Sequence, residues 1–259
     1  MILVCFGTRP EIVKVAPVIQ EMQRRKLPFK LVFTGQHREL YEDVRSLIPD
    51  PDFHLDIMKD NQSPNDILSG IISKMDLILR EEKPKLVVVQ GDTSTVLAAS
   101  LAAFNNRVKI GHIEAGLRTY DLESPFPEEA NRQLVSRIAY FNWAPTQRAA
   151  DALASEGVSN IFLTGNTVID TCRGFDFEIS YGNEVIITLH RRENFGERME
   201  SHFRQINSLA EAHPELKFVF PMHPNPNVQS LRHLLTHVDV RAPFTYPEMV
   251  QMLSRARFA

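Results

Sequence analysis

Residues 112–132 read HIEAGLRTYDLESPFPEEANR and concentrate side chains that are suited to acid–base chemistry. Five carboxylates and two guanidinium groups lie between Glu114 and Arg132, and they begin directly after the apolar run VKIGHI. Carboxylates accept hydrogen bonds from sugar hydroxyls and move protons, whereas guanidinium groups bind phosphates. The stretch therefore indicates a site for a ligand that has both a neutral and an anionic part.

Polar residues follow several other apolar runs in the same way. Ligands of open α/β sheets bind outside the carboxyl ends of the strands, so residues at these positions are expected on one side of the molecule. The residues at the five predicted strand ends are Arg9, Asp92, Glu114, His190 and His223.

Each of these residues also has a purely structural interpretation. Asp92 could cap the helix predicted at 94–105. Glu128 and Arg132 could form an exposed ion pair on one helix face, worth about 0.3–0.5 kcal/mol. The joint occurrence of such residues at five strand ends favours a functional site over these separate explanations.

The types of charge indicate the class of ligand. Carboxylates would repel a phosphate, so Asp92, Glu114 and Glu128 are expected to face a neutral group such as a sugar. The cations suited to a phosphate or pyrophosphate are Arg9, Lys14, Arg132, Arg191 and Arg192. An anionic leaving group beside a sugar that is flanked by carboxylates is typical of nucleotide-sugar chemistry.

Other common site motifs are missing from the sequence. It contains no GxGxxG, no GxxxxGK[ST], no HExxH and no paired CxxC, so no dinucleotide, triphosphatase or metal site is predicted, and no cofactor. Cys5 and Cys172 give no disulfide framework, which favours a reducing, cytoplasmic location.

The composition of the chain narrows the classes of protein to which it can belong. The chain has 259 residues, of which 43% are hydrophobic and 24% charged, as in an ordinary globular protein. A net charge of −3 argues against nucleic acid and against a polybasic membrane surface as partners. No apolar run approaches the ~18 residues that a membrane helix requires.

Short apolar runs alternate with segments of helical period, and this predicts an α/β fold with a mostly parallel sheet. A capping box formed by Thr8 and Glu11 marks the start of the first helix. A break at 164–166 predicts two domains, 1–165 and 166–259. The predicted strands are 2–6, 29–34, 85–90, 108–113, 140–144, 161–163, 184–189 and 217–221, with a short one near 238–240. The further predicted helices are 64–82, 94–105, 127–138, 146–156, 197–212, 225–236 and 245–256.

Seven motifs together resemble one known family, the non-hydrolysing UDP-N-acetylglucosamine 2-epimerases. The match is in register over nearly the whole chain. The motifs are FGTRPEIVKVAPVI (6–19), TGQHREL (34–40), VQGDTST (89–95), HIEAGLRTYDLESPFPEEANR (112–132), LTGNTVIDT (163–171), TLHRRENFG (188–196) and MHPNPNV (222–228).

The resemblance implies a glycosyltransferase-B type fold of two Rossmann-like domains with the active site between them, and the interconversion of UDP-GlcNAc and UDP-ManNAc. The family's route is anti elimination of UDP to a 2-acetamidoglucal, followed by re-addition with the proton on the opposite face. It also implies a cytoplasmic homodimer that supplies ManNAc-type sugars for cell-surface polysaccharide. The positions that the resemblance implies to be functional are Arg9, Lys14, Asp92, Glu114, Glu128, Arg132 and His190. We expect Asp92, Glu114, Glu128 and His190 to be catalytic, and the expected substrate-binding residues are Arg9, Lys14, Arg132, Gln36, His37, Arg191, Asn194 and His223.

One departure from the family pattern concerns the end of the chain. Family members continue beyond the point that matches Ala259, through a phosphate-holding Ser-Asp-Ser-Gly-Gly type loop, so the second domain is expected to be incomplete. Two alternatives to the epimerase remain at this point. One is a related enzyme on the same scaffold, either a hydrolysing epimerase or a glycosyltransferase. The other is a non-catalytic module that binds nucleotide sugars.

Overall fold

The computed structural model describes residues 1–36, 43–58, 62–175, 177–189 and 194–259. The chain forms two compact units, Met1–Gly174 and Phe175–Ala259. Parallel strands alternate with helices in both units, which confirms the predicted α/β class. The strands are β1 (Ile2–Phe6), β2 (Phe29–Phe33), β3 (Phe53–His54), β4 (Leu86–Gln90), β5 (Lys109–Ile113), β6 (Phe141–Ala144), β7 (Ile161–Leu163), β8 (Glu184–Ile186), β9 (Lys217–Pro221), β10 (Asp239–Arg241) and β11 (Ala256–Phe258). The helices are α1 (Arg9–Arg24), α2 (Pro64–Glu82), α3 (Ser94–Asn105), α4 (Glu128–Ile138), α5 (Gln147–Ser155), α6 (Thr167–Arg173), α7 (Glu197–Ala212), α8 (Pro226–Gln229) and α9 (Tyr246–Arg255).

The sheet of the first unit has the strand order β3-β2-β1-β4-β5-β6-β7 among the described residues, and its pairs are parallel. The order reverses between β1 and β4. In open α/β sheets this switch point opens a crevice at the carboxyl ends of the two strands. The segments that follow β1 and β4 are therefore placed to form a site.

The core of the first unit explains why its strands read as continuous apolar runs. Val87, Val88 and Val89 of β4 are all fully buried, as expected for a parallel strand that is covered by helices on both faces. Helix α1 packs its predicted apolar stripe inward, since Ile12, Val15 and Ile19 are 0% exposed and Met22 is also buried.

The sheet of the second unit has the order β10-β9-β8-β11, again with parallel pairs. Phe203 of α7 and Phe220 of β9 meet edge to face, with ring centroids 5.4 Å apart, in the core of this unit. The last strand, β11, was not predicted from the sequence. It pairs with β8. Its three residues are too few to show a period of two.

Two predicted elements are wrong in extent. The strand predicted at 184–189 ends at Ile186. The helix predicted at 225–236 is only the short α8, followed by a 3₁₀ turn at Arg232–Leu234. The apolar residues Val228, Leu231 and Leu234 recur at every third position, which fits the three residues per turn of a 3₁₀ helix better than the period of an α-helix.

Helix α6 was also not predicted, because seven residues are too few to show a helical period. Asn166 caps it by accepting a hydrogen bond from the amide of Val168 at 3.1 Å. Thr171 donates to the carbonyl of Val13 at 2.5 Å, so α6 packs on α1 within the first unit. The division into domains at 165/166 stays a prediction.

Candidate functional site

Glu114 directly follows β5 and has a strained backbone. Its φ of +65° lies in the left-handed region, which costs a residue other than glycine about 1–3 kcal/mol. Its carboxylate pairs with Lys14 of α1 and accepts a hydrogen bond from the side chain of Gln90 at the end of β4. Glu114 is thus held by α1 and β4, the helix and the strand that flank the switch point of the sheet.

The loop after Glu114 depends on one glycine. Gly116 has a φ of +90°, and a Cβ atom there would lie 2.3 Å from the carbonyl oxygen of Ala149. Only glycine fits this conformation and this close approach. The loop is further held by Glu129, whose carboxylate accepts from the amides of Thr119 at 3.0 Å and Tyr120 at 3.1 Å.

Asp92 follows β4 and faces helix α4. Its Oδ2 atom lies 2.8 Å from Nη2 of Arg132, and its carbonyl accepts from the side chain of Asn131 at 2.8 Å. The interpretation of Asp92 as a helix cap is wrong, because Thr93 caps α3 by accepting from the amide of Val96 at 3.3 Å.

The electrostatic environment of Asp92 is mixed. Burial is the largest effect and raises the pKa of its carboxyl. Arg132 and Lys14 lower this pKa, whereas the neighbouring carboxylates of Glu128 and Glu114 raise it. The pKa is raised on balance despite the ion pair, because loss of water outweighs the attraction to Arg132. A raised carboxyl pKa brings proton exchange closer to neutral pH.

Helix α4 begins at Glu128, where the positive end of the helix favours a carboxylate. The described ion pairs of Arg132 are with Asp92 at 2.8 Å and with Glu129 at 3.6 Å. Its contact with Glu128 is a hydrogen bond of 3.3 Å to the main-chain carbonyl. The predicted alternative, an exposed i,i+4 ion pair with Glu128, is therefore wrong, and the Arg132 side chain is only 11% exposed.

A cavity of about 390 Å³ brings several predicted site residues together. The residues of the predicted site that line it are Lys14, Gln36, Asp92, Glu114 and Glu128. Pro64 and Ile67 of α2 contribute an apolar part of the wall. A larger cavity of about 580 Å³ is lined by Arg118, Arg132 and Arg148 but by none of the three candidate carboxylates, so the smaller cavity suits proton transfer better.

The wall of this cavity is fixed by buried hydrogen bonds. Glu11 is fully buried and accepts from the amides of Gly7 at 2.9 Å and Thr8 at 2.6 Å, which confirms the carboxylate half of the predicted capping box. Its other oxygen accepts from Thr93 at 2.8 Å, so Glu11 joins the segments after β1 and β4. Burial raises the pKa of Glu11, and the hydrogen bonds from Gly7, Thr8 and Thr93 partly offset this.

The remaining predicted residues are placed as follows. Arg9 is 37% exposed at its side chain, and its Nη1 atom lies 3.5 Å from Asp43. His37, His190 and Arg191 lie outside the described residues. Asn194 and His223 belong to the second unit, where Nδ1 of His223 accepts from the amide of Asn225 at 3.1 Å.

Sequence reasoning missed four residues that shape the site. They do not carry an obvious catalytic pattern, because each acts on the main chain or on another side chain. Their position inside the motifs VQGDTST and HIEAGLRTYDLESPFPEEANR was the available signal. The residues are Gln90, His112, Glu129 and Asn131.

An open parallel sheet whose strand order reverses, with a polar cavity at that switch point, is typical of Rossmann-like α/β proteins. A sequence model described as UDP-N-acetylglucosamine 2-epimerase matches residues 20–259. The chain therefore belongs to the UDP-N-acetylglucosamine 2-epimerase family, as the motifs predicted.

Individual relatives agree with this assignment. The UDP-N-acetylglucosamine 2-epimerase of Campylobacter jejuni is 38% identical over 99% of this chain and 75% of its own length. The crystal structure of the Neisseria meningitidis UDP-GlcNAc 2-epimerase bound to UDP-GlcNAc is 41% identical, with a TM-score of 0.88 over 98% of this chain and 76% of that one.

A more distant structure bears on the fold alone. MurG of Acinetobacter baumannii is 14% identical, with a TM-score of 0.52. Together with the epimerase structures it confirms the predicted glycosyltransferase-B type. Among the described residues, no helix is long and apolar enough to cross a membrane.

Proposed function

We propose that this chain interconverts UDP-GlcNAc and UDP-ManNAc at the cavity lined by Asp92, Glu114 and Glu128. The observation that carries the proposal is that these three carboxylates line one cavity at the switch point of the sheet, with Lys14 also in its wall. The names of the relatives support the same reaction, and the Neisseria meningitidis relative was crystallised with UDP-GlcNAc.

The proposed chemistry follows from the substrate. No carbonyl group lies next to C2 of the sugar, so simple enolisation is not available. A carboxylate takes the C2 proton while the bond between C1 and the UDP oxygen breaks, and UDP leaves with the electron pair. The resulting 2-acetamidoglucal then regains UDP at C1 and a proton at C2 on the opposite face. The step consumes no net proton and no electron.

Two faces of the sugar require proton-transfer groups on two sides. We assign Asp92, Glu114 and Glu128 to this role. Asp92 is the best candidate for a group that carries a proton between steps, since burial raises its pKa. Glu114 is the most firmly positioned of the three, because Lys14 and Gln90 both hold its carboxylate.

Cations are assigned to the developing charge on UDP. We propose this role for Arg9, Lys14 and Arg132, together with His190. Gln36, His37, Arg191, Asn194 and His223 are proposed as further substrate-binding residues. A homodimer in the cytoplasm, which supplies ManNAc-type sugars for cell-surface polysaccharide, is part of the same proposal. Sedimentation velocity would measure the oligomeric state.

Incubation with UDP-GlcNAc in D₂O tests the proposed reaction. We expect UDP-ManNAc that carries deuterium at C2, detected by proton NMR. Free ManNAc together with UDP would indicate a hydrolysing epimerase instead. Binding without exchange at C2 would indicate a non-catalytic binder, and either result would contradict the proposal.

A further inference from the structure

Strand β5 carries a buried histidine that the proposed reaction does not use. His112 is 0% exposed and lies in register with Val89 of β4. Its Nε2 atom is 2.6 Å from the carbonyl oxygen of Gly91, the residue directly before Asp92. The amide of Gly91 in turn donates to the carbonyl of Ile113 at 3.0 Å. Gly91 is thus bound to β5 through both its amide and its carbonyl.

The chemistry of this contact determines the tautomer of His112. A carbonyl oxygen only accepts hydrogen bonds, so Nε2 must carry the hydrogen and Nδ1 must be bare. The Nδ1 atom is buried and has no hydrogen-bond partner among the described residues. A proton there would create a buried cation without an acceptor. Burial accordingly lowers the pKa of His112 to about 4, and the positive charges of Arg118 and Arg132 act in the same direction. The imidazole is therefore a neutral, fixed donor at physiological pH.

A second side chain holds the next carbonyl of the same loop. Asn131 is 5% exposed and donates to the carbonyl of Asp92 at 2.8 Å. Two successive carbonyls are thus held by donors from two different elements, β5 and α4. Helix α4 also carries Arg132, which binds the Asp92 carboxylate. The main chain and the carboxylate of Asp92 are both fixed relative to this helix.

The restraint matters because Gly91 is the flexible point of the loop. Its φ is +84°, and a glycine has access to many other conformations. Rotation of the peptide between Gly91 and Asp92 would swing the carboxylate away from Arg132. A misplacement of about 1 Å can reduce the rate of an enzyme by about 10²-fold.

We propose that His112 is a positioning residue, which fixes the Asp92 carboxylate against Arg132 by holding the Gly91 carbonyl. The effect of His112 on catalysis rests on the proposed function. Its effect on the position of the Asp92 carboxylate does not, because that position is a property of the folded protein. The charged groups that face Asp92 are Arg132 and Glu128 of α4, Glu114 after β5 and Lys14 of α1.

The first test measures the titration of Asp92 by carbon NMR with labelled aspartate. In His112→Leu the carboxylate loses its alignment with Arg132, so we expect the pKa of Asp92 to rise above the wild-type value. In His112→Gln the amide nitrogen can reach the same carbonyl, so the pKa should return towards wild type. An unchanged or lower pKa in His112→Leu would overturn the proposal.

A matched control separates positioning from general damage to the core. Asn142 of β6 is also 0% exposed and is the register partner of His112 on the next strand. It hydrogen bonds to the carbonyl of Ser159 at 3.4 Å rather than to the Asp92 loop. Asn142→Leu should therefore leave the pKa of Asp92 unchanged. An equal rise in both leucine variants would contradict a specific role for His112.

Two further measurements test the positioning role of His112. Nitrogen NMR of the wild-type protein should show the Nε2–H tautomer of His112 and no protonation between pH 6 and 8. This measurement does not depend on a variant that folds. In turnover assays, His112→Leu should lose about 10²-fold in kcat with KM unchanged, and His112→Gln should recover most of the loss. If the wild-type protein has no epimerase activity, the proposed function fails, and the two NMR measurements still decide the positioning role.

Discussion

Arg132 places its Nη2 atom 2.8 Å from Oδ2 of Asp92, and this pair joins helix α4 to the loop after β4. The helix neighbour Glu128 is thereby left to line the cavity with its own carboxylate. Burial of this pair costs free energy, because both charged groups lose water and their mutual attraction offsets only part of that loss. The pair therefore links the catalytic proposal to the stability of the protein.

The first prediction concerns the three carboxylates of the cavity. Asp92→Asn, Glu114→Gln and Glu128→Gln should each reduce kcat by about 10²-fold or more, because general acid–base groups contribute that much. Turnover is measured as UDP-ManNAc formed from UDP-GlcNAc. Glu123→Gln provides the matched control, since Glu123 is an exposed carboxylate of the same segment that does not line the cavity, and it should keep the wild-type rate. Wild-type rates in all three cavity variants would contradict the assignment.

The second prediction concerns stability and pH. The pKa of Asp92 is higher in the folded protein than in the unfolded chain, so the folded state binds its proton more strongly. The free energy of unfolding therefore falls as pH rises through the interval between these two pKa values, and it stays reduced above them. Asp92→Asn should accordingly be more stable than wild type at pH 7.

The pH series supplies its own control for this second prediction. The stability difference between Asp92→Asn and wild type should vanish below about pH 3.9, where Asp92 is protonated even in the unfolded chain. Thermal unfolding at several pH values measures the difference. An Asn variant that is less stable at pH 7, or a difference that does not change with pH, would show that the ion pair with Arg132 outweighs the cost of burial.

The third prediction concerns Arg9, which follows β1 at the switch point. If its guanidinium binds the UDP diphosphate, Arg9→Ala should weaken UDP binding by about 10- to 100-fold, the usual contribution of hydrogen bonds to charged groups. Isothermal titration calorimetry with UDP measures this affinity. Arg25→Ala is the matched control, because Arg25 lies exposed at the far end of the same helix and pairs with Glu21. Unchanged affinity in Arg9→Ala would exclude the proposed role.

The fourth prediction concerns the relative stability of the two units. Strands β4 and β5 lie in the middle of the larger sheet, and Val88 is fully buried, whereas Glu184 and Val185 of β8 are only half-buried. Amides with fewer buried neighbours open at lower free energy. In hydrogen exchange, the amides of β8 should therefore exchange well before those of β4 and β5. Equal protection in both sheets would show that the second unit is as stable as the first.

Most strands and helices of this protein, and its candidate carboxylates, could be predicted from the sequence by itself. Runs such as 2–6 and 86–89 are apolar throughout, and a parallel strand covered on both faces requires that pattern. The stripe of Ile12, Val15 and Ile19 specifies a helix with one buried face. Such patterns depend only on the local periods of helix and strand, so they are visible without any tertiary contact. The three candidate carboxylates were also located in this way, since strand ends and helix starts are local features.

Only the tertiary structure decided which side chains meet. Arg132 had Glu128 one turn away in its own helix, yet its shortest described ion pair is with Asp92, because α4 packs beside the loop after β4. Glu129 and His112 have no catalytic pattern in the sequence, and their roles come from main-chain groups that folding brings within hydrogen-bond distance. Contacts between residues that are distant in the sequence depend on the packing of whole elements, and no local period encodes that packing.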